Sequence, residues 1–524
     1  MQSRFNTGAT AAAWLWTTLA AQTPPEPMRA TTRLVEVSVT AHSKQGEPVA
    51  GLTQSDFLLV DEGVPQRIAH FRVETPQPSG TLQRKLPPNL FTNRLDAASA
   101  TVILFDGLNT RAIDQPYARE QILKFLRQLK PGERVALYAM GRGPRVLQDF
   151  TDDSSALIRA MAAYKGGTAA SLEAPLHDPA TTGAEHFEAW MGELTFGLYD
   201  FYAEDRAFRT VRALTAIASH LEQVPGRKNL IWVSGSFPVS LDGDSVAAPR
   251  RTKAGQRESW PEVERASRAL GRVNLAIYPV DARGLIAAQQ YSGAPGSPQL
   301  RNPDTSEIAR MQALADRTGG RAYFNNNDLS AALSRALDDS RMTYVLGYYP
   351  LHADWKGRFH RIDLRVNRPG TELHYRRGYF AQPAEPSDSW YREQVLNAAL
   401  WNPVDATGLR LTVAIRPTSQ GGVDLAIQID PRDITFQLKG ERRNCALDVW
   451  LVQLDRQEKL LKTKANTNNL SLDQPTFDRV SQVKGLALAE QVAPEPGAAL
   501  LRVLVRDAAS GTIGTLTVPL RSAR

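Results

Sequence analysis

At 524 residues the chain exceeds what one ordinary hydrophobic core organises, so about three structural units are expected. Hydrophobic residues at 42% and charged residues at 22% exclude wholesale disorder and describe a chain able to bury a core without being a membrane sequence. A net charge of +7 over this length, with no dense Lys/Arg run interleaved with aromatics, excludes the electrostatic footprint of a nucleic-acid binder.

Arg4 precedes the apolar stretch Ala11 to Ala21, which ends in the small residues Thr18, Ala20 and Ala21. That stretch is too short to span a bilayer and reads as the core of a secretory signal peptide over residues 1–22. The competing reading is a disordered apolar N-terminus of a cytoplasmic protein, because the basic region holds a single Arg. Export to the periplasm, envelope or medium is the expectation, with no transmembrane segment in the mature chain. Cys445 is the only cysteine and forms no intrachain disulfide.

Residues 31–75 read as an N-terminal β unit, with β-rich runs at 33–39 and 57–60 interrupted by turn chemistry at Gly46 and Pro48 between them and at Gly63 after the second. Residues 76–97, rich in proline, read as a linker. From Thr101 the rhythm changes. The apolar run ending in Asp106 is followed by a helix with Ala118, Ile122, Phe125, Leu126 and Leu129 on one face, and then by the strand Val135 to Met140. A helix carrying Phe208, Val211, Leu214, Ala218 and Leu221 precedes the strand Asn229 to Val233. Ser259 and Glu262 form a capping box ahead of a helix and the strand Asn274 to Val280. Asp304 and Glu307 begin a helix that closes at Gly319 and Gly320, a short strand is expected over Ala322 to Phe324, and Asp328 caps a final helix. Continuous apolar strands alternating with amphipathic helices predict a doubly wound, mostly parallel α/β domain over 98–345. Residues 346–382 read as a β extension, with strands around Pro369 and Gly370 that pair either with the N-terminal unit or with the α/β sheet. A helical connector over 383–404 and a β-sandwich over 405–524 complete the expected order.

Ligands of open α/β sheets gather outside the carboxyl ends of the strands, which points to Asp106, Ser234 and Asp281. Asn109 and Thr110 follow the first of these closely, Ser236 the second, and Gly167 and Thr168 sit in a separate glycine-rich loop. Here the chain resembles the von Willebrand factor type A (VWA) fold, whose metal-ion adhesion site uses Asp-x-Ser-x-Ser after the first strand, a Thr after the second helix and an Asp ending the fourth strand. The resemblance puts Asp106 on the first aspartate, Thr110 on the second hydroxyl and Thr168 on the Gly-Gly-Thr loop, while Leu108 replaces the first serine and Ser234 the later Asp. It implies a degenerate site in which Asp106, Thr110, Thr168 and Ser234, with help from Asp281, hold Mg²⁺, Mn²⁺ or Ca²⁺ weakly, since a hard ion wants about six oxygen ligands. The competing reading makes Asp106 a loop-capping strand end, Thr168 a turn residue and Asp281 part of a surface turn.

The segments VILFDGLNT, YPVDARGL, LADRTGGRAYF, YVLGYYP and RRGYFA, with GEPVAGLTQSDFLLVDEG before them, resemble the VWA-related family first described from Acidobacteria over residues 31–382. That resemblance implies export and a VWA core, and carries no biochemical activity with it. No nucleophile elbow, phosphate loop, HExxH helix or dinucleotide fingerprint is present, so a non-catalytic protein is expected. His177, Asp178, Glu185 and His186 would support a metal-dependent hydrolase only if the fold converged them. The favoured function is binding of a protein or envelope partner at the carboxyl edge. The alternative is a metal-free VWA scaffold with polysaccharide or cell-wall recognition by the C-terminal β region.

Overall fold

The computed structural model describes residues 34–75, 89–95, 100–164, 205–238, 269–284, 303–381 and 399–520, apart from a few positions inside those ranges, together with a few isolated positions outside them. The signal-peptide segment, the Ser259–Glu262 capping box and the 177–186 segment lie outside the described residues.

The N-terminal part supplies β1 (Val35–Ser43), β2 (Phe57–Asp61), β3 (Val64–Gln66) and β4 (Ile68–Glu74). After the short β5 (Leu90–Thr92) comes the α/β unit, with strands β6 (Ala100–Asp106), β7 (Val135–Met140), β8 (Pro144–Thr151), β9 (Lys228–Ser234) and β10 (Leu275–Asp281). Its helices are α1 (Gln115–Arg127), α2 (Ser154–Ala163), α3 (205–220), α4 (Pro303–Thr318) and α5 (Leu329–Asp338). The sheet runs β10-β9-β6-β7-β8, with β8 as an antiparallel edge strand beside four parallel ones.

Every residue of β6, β7, β9 and β10 is buried, as continuous apolar runs require when helices cover both faces. Alternation along β6 sends Val102 and Leu104 to the face covered by α3 and α4, and Ile103 and Phe105 to the face covered by α1, α2 and α5. The expected stripe of α1 is buried at Ala118, Ile122, Phe125 and Leu126, where each large side chain contributes roughly 1.5–3 kcal/mol of burial. Asp328 caps α5 by accepting from the Ala331 amide at 3.1 Å. The strand expected over Ala322 to Phe324 reduces to one parallel bridge between Tyr323 and Val280.

Strand β11 (Thr343–Tyr348), which straddles the boundary expected between the α/β domain and the β extension, lies between β1 and β4 in an antiparallel sheet completed by β13 (Thr371–Tyr375). A second sheet joins β14 (Gly378–Phe380), β12 (Phe359–Val366), β2 and β3. The two share one cluster that includes Val37, Val39, Leu59, Tyr344, Leu346 and Ile362. The strands flanking Pro369 and Gly370 therefore pair with the N-terminal unit, each in a different sheet, and the α/β unit is inserted between β4 and β11. The junction is polar and buried: Arg227 reaches Ser38 O at 3.2 Å and the Tyr278 hydroxyl at 3.0 Å, and His42 Nε2 lies 2.8 Å from Asp339 Oδ1.

The C-terminal part holds β15 (Leu411–Pro417), β16 (Val423–Ile429), β17 (Gln437–Lys439), β18 (Arg442–Leu454), β19 (Leu460–Leu472), α6 (Gln474–Gln482), β20 (Leu486–Val492), β21 (Leu500–Asp507) and β22 (Ile513–Pro519). Sheets β20-β16-β15-β5 and β17-β18-β21-β22, the latter with β19 also on β18, pack around one apolar cluster. The proline-rich stretch expected as a linker thus contributes β5, and Asn93 beyond it donates to Ala406 O at 2.8 Å and Leu409 O at 2.9 Å. This part is tied to the α/β unit, because the Thr407 hydroxyl donates to His220 O at 2.8 Å and Gln223 Nε2 to Gly408 O at 2.6 Å.

Candidate functional site

Parallel register sets the strand ends in a row. Asp281 pairs with Ser234, Val233 with Phe105, and Asp106 with Met140, so Asp106, Ser234 and Asp281 stand side by side at the carboxyl edge. Asp106 follows Leu104 on the face covered by α3, and the same two-residue period puts Trp232 and Ser234 together on β9.

The Asp106 carboxylate is completely buried and surrounded by donors. Oδ1 accepts from the Asn109 amide at 2.9 Å. Oδ2 accepts from Asn109 Nδ2 at 2.8 Å, Trp232 Nε1 at 2.8 Å and the Ser234 hydroxyl at 2.9 Å. The Ser234 hydroxyl also lies 2.7 Å from Ser236 O, so its single proton is shared between two acceptors. Burial pushes the Asp106 carboxyl up to about 6, against the pull of these donors. Asn109 Nδ2 additionally reaches the Thr210 hydroxyl of α3 at 2.9 Å, while Asn109 Oδ1 is buried with no hydrogen-bond partner among the described residues.

Thr110 is buried, and its hydroxyl accepts from the Gly235 amide at 2.9 Å. The loops after β6 and β9 touch here: a Cβ on Gly235 would sit 3.2 Å from Thr110 Cα and 3.3 Å from Asn109 O, which explains a glycine at that place. Asp281, also buried, is held by Arg283 through Nε at 2.9 Å and Nη2 at 2.8 Å, with the Arg283 backbone amide at 3.0 Å. Gly167 and Thr168 lie outside the described residues, as do His177, Asp178, Glu185 and His186.

The structure thus brings together Asp106, Asn109, Thr110, Ser234 and Ser236, with Asp281 next in the row. Reading by motif missed Trp232 and Thr210. The alternation in Asn229 to Ser234 was the available signal for the tryptophan, and nothing in the sequence pairs Thr210 with Asn109.

A divalent ion requires about six oxygens free to turn their lone pairs toward it. Asp106 already accepts four hydrogen bonds, three of them at Oδ2, Leu108 is buried in the apolar cluster under the sheet, and Asp281 is neutralised by a guanidinium. Among the described residues no group of three or more His, Cys, Asp or Glu side chains could hold a metal. The described residues in their present arrangement do not fit the ion that the VWA resemblance implies.

No protein-family model matches the chain, and no curated protein matches it. Among solved structures it is similar to an aerotolerance-related membrane protein from Bacteroides fragilis, at 13% identity over 46% of this chain and 98% of that one, with a TM-score of 0.24. It is also similar to a von Willebrand factor type A structure from Catenulispora acidiphila, at 11% identity over 87% and 74% of the two chains, TM-score 0.24. The PilB minor pilin from Streptococcus sanguinis follows at 12% identity over 46% and 60%, TM-score 0.24. Scores this low leave the α/β assignment resting on the strand order and burial described above.

Proposed function

We propose that this chain is an exported, non-catalytic VWA-type protein that docks a protein or envelope partner at the carboxyl edge of its α/β sheet. The observation that carries this reading is Ile113, 77% exposed in the loop between β6 and α1, immediately beyond the Asp106–Thr110 segment. Solvent-facing isoleucine beside an internally hydrogen-bonded loop suits a contact residue, because burial of an apolar side chain by a partner is favourable and the loop beneath it is already ordered. Arg111, on the same loop and paired with Asp114, supplies a polar rim. Among the described residues no helix is long and apolar enough to cross a membrane.

A photo-crosslinking residue at position 113 of the full chain, expressed in its own cells, tests the reading. Adducts that disappear with Arg111→Glu support it. Adducts only from a probe at Leu461 on β19 would move recognition to the C-terminal sheets. These we read as a sandwich-type module, and β19 is their mostly exposed thirteen-residue strand, paired among the described residues with β18 alone. Polysaccharide or cell-wall material is the partner class of that second reading.

A further inference from the structure

We infer that the Asp106 site is a cation-free keystone: protein donors from Asn109, Trp232 and Ser234 stand where a VWA-type site would place its metal, so the carboxyl edge works without a divalent ion. The inference rests on the VWA-type reading of that edge. Four donors at 2.8–2.9 Å surround the Asp106 carboxylate, three of them crowding the two lone-pair directions of Oδ2 and one on Oδ1. A cation approaching Oδ2 would face the positive ends of these three donors.

The Trp232 and Asn109 side-chain donors are not free to turn away. The Trp232 ring is fully buried and meets Phe237 edge-on, with centroids 4.9 Å apart. Asn109 Nδ2 gives its second hydrogen to the Thr210 hydroxyl, which holds the amide in place, while the Ser234 hydroxyl has a second acceptor in Ser236 O at 2.7 Å. Each buried donor left without its acceptor would weaken ion binding roughly ten- to hundredfold. At the neighbouring strand end the Arg283 guanidinium, bidentate on Asp281, supplies the positive charge that an ion would otherwise bring. Asn109 Oδ1 is buried with no hydrogen-bond partner among the described residues and Asp106 Oδ1 accepts a single bond, and two oxygens are a small part of the shell an ion needs.

The full chain is tested by thermal unfolding with MgCl2, MnCl2 or EDTA, and by indole N–H spectra of protein labelled with ¹⁵N-tryptophan during a MnCl2 titration, the Trp232 signal being assigned by Trp232→Phe. The expected result is a midpoint unchanged within about 1 °C and a Trp232 signal that survives Mn²⁺, since a ligand that does not bind the folded state does not stabilise it. A saturable rise in midpoint together with early loss of the Trp232 signal overturns the inference. A rise with the Trp232 signal intact places the ion elsewhere and supports it. Failure of crosslinking from position 113 removes the docking surface and leaves this result untouched, so the two readings fail separately.

Discussion

Ser234→Ala is the smallest perturbation that isolates one donor on Asp106. It removes a hydroxyl 2.9 Å from Oδ2 and changes the packed volume little. A hydrogen bond to a buried ionised carboxylate contributes about 1.5–3 kcal/mol, and one to a neutral carboxyl about 1 kcal/mol. The charge state is set by a folded-state value raised from 3.8 to about 6. A raised carboxyl pKa gives stability that is fully present below the unfolded value and is lost as pH rises through the folded one, here about 3 kcal/mol for a fully buried group. Removing a donor raises the folded value further, so the variant loses more than the wild type on going from pH 5 to pH 8. For an α/β unit of this size the loss at pH 8 corresponds to a midpoint lowered by roughly 4–10 °C, against about half that or less at pH 5. Differential scanning calorimetry at both pH values reads this directly. A shift below about 1 °C at pH 8, or a larger loss at pH 5 than at pH 8, would refute the claim that Ser234 stabilises an ionised Asp106.

Burial lowers the His374 pKa from 6.5 to about 4, so the unfolded chain takes up the proton first and stability falls as pH drops from about 6.5 toward 4, by at most about 3 kcal/mol; His374→Gln should flatten that limb of a pH–midpoint curve. Arg227→Ala strips buried partners from Ser38 O, the Tyr278 hydroxyl and Asn229, and should cost about 3 kcal/mol, with amide exchange rising in β1 before the centre of the α/β sheet. Gly320→Ala would place a Cβ 1.9 Å from Ile277 O, so a loss of about 3 kcal/mol or more is expected, read as lost soluble yield or a lowered midpoint.

The centre of the fold was legible because burial on both faces writes itself as uninterrupted apolar strands, and the ends of β6, β7, β9 and β10 all fall within one residue of the runs expected. Strand β8 escaped notice because an edge strand with Arg145, Gln148 and Asp149 has no such run. Partner choice was less legible than element type: Val35 pairs with Tyr348, and Thr92 with Thr412, across some three hundred residues that local periodicity does not connect. At the site, the strand-end rule located Asp106, Ser234 and Asp281. What it could not supply was the partner of each oxygen, which depends on Trp232 reaching sideways from the next strand and Arg283 folding back on its own turn.

The insertion of the α/β unit between β4 and β11 also dictates an order of assembly during synthesis. Strands β1 to β4 leave the ribosome before the α/β unit, yet β1 and β4 are joined only through β11, which lies between them, and β2 has β3 alone until β12 arrives. The intervening α/β unit can close its parallel strands in the meantime, which leaves β1 and β4 unpaired and one edge of β2 open over the translation of more than two hundred residues. Holding these early strands apart from one another, and from those of neighbouring nascent chains, is therefore a requirement of its biogenesis, and β5, waiting for β15, prolongs it.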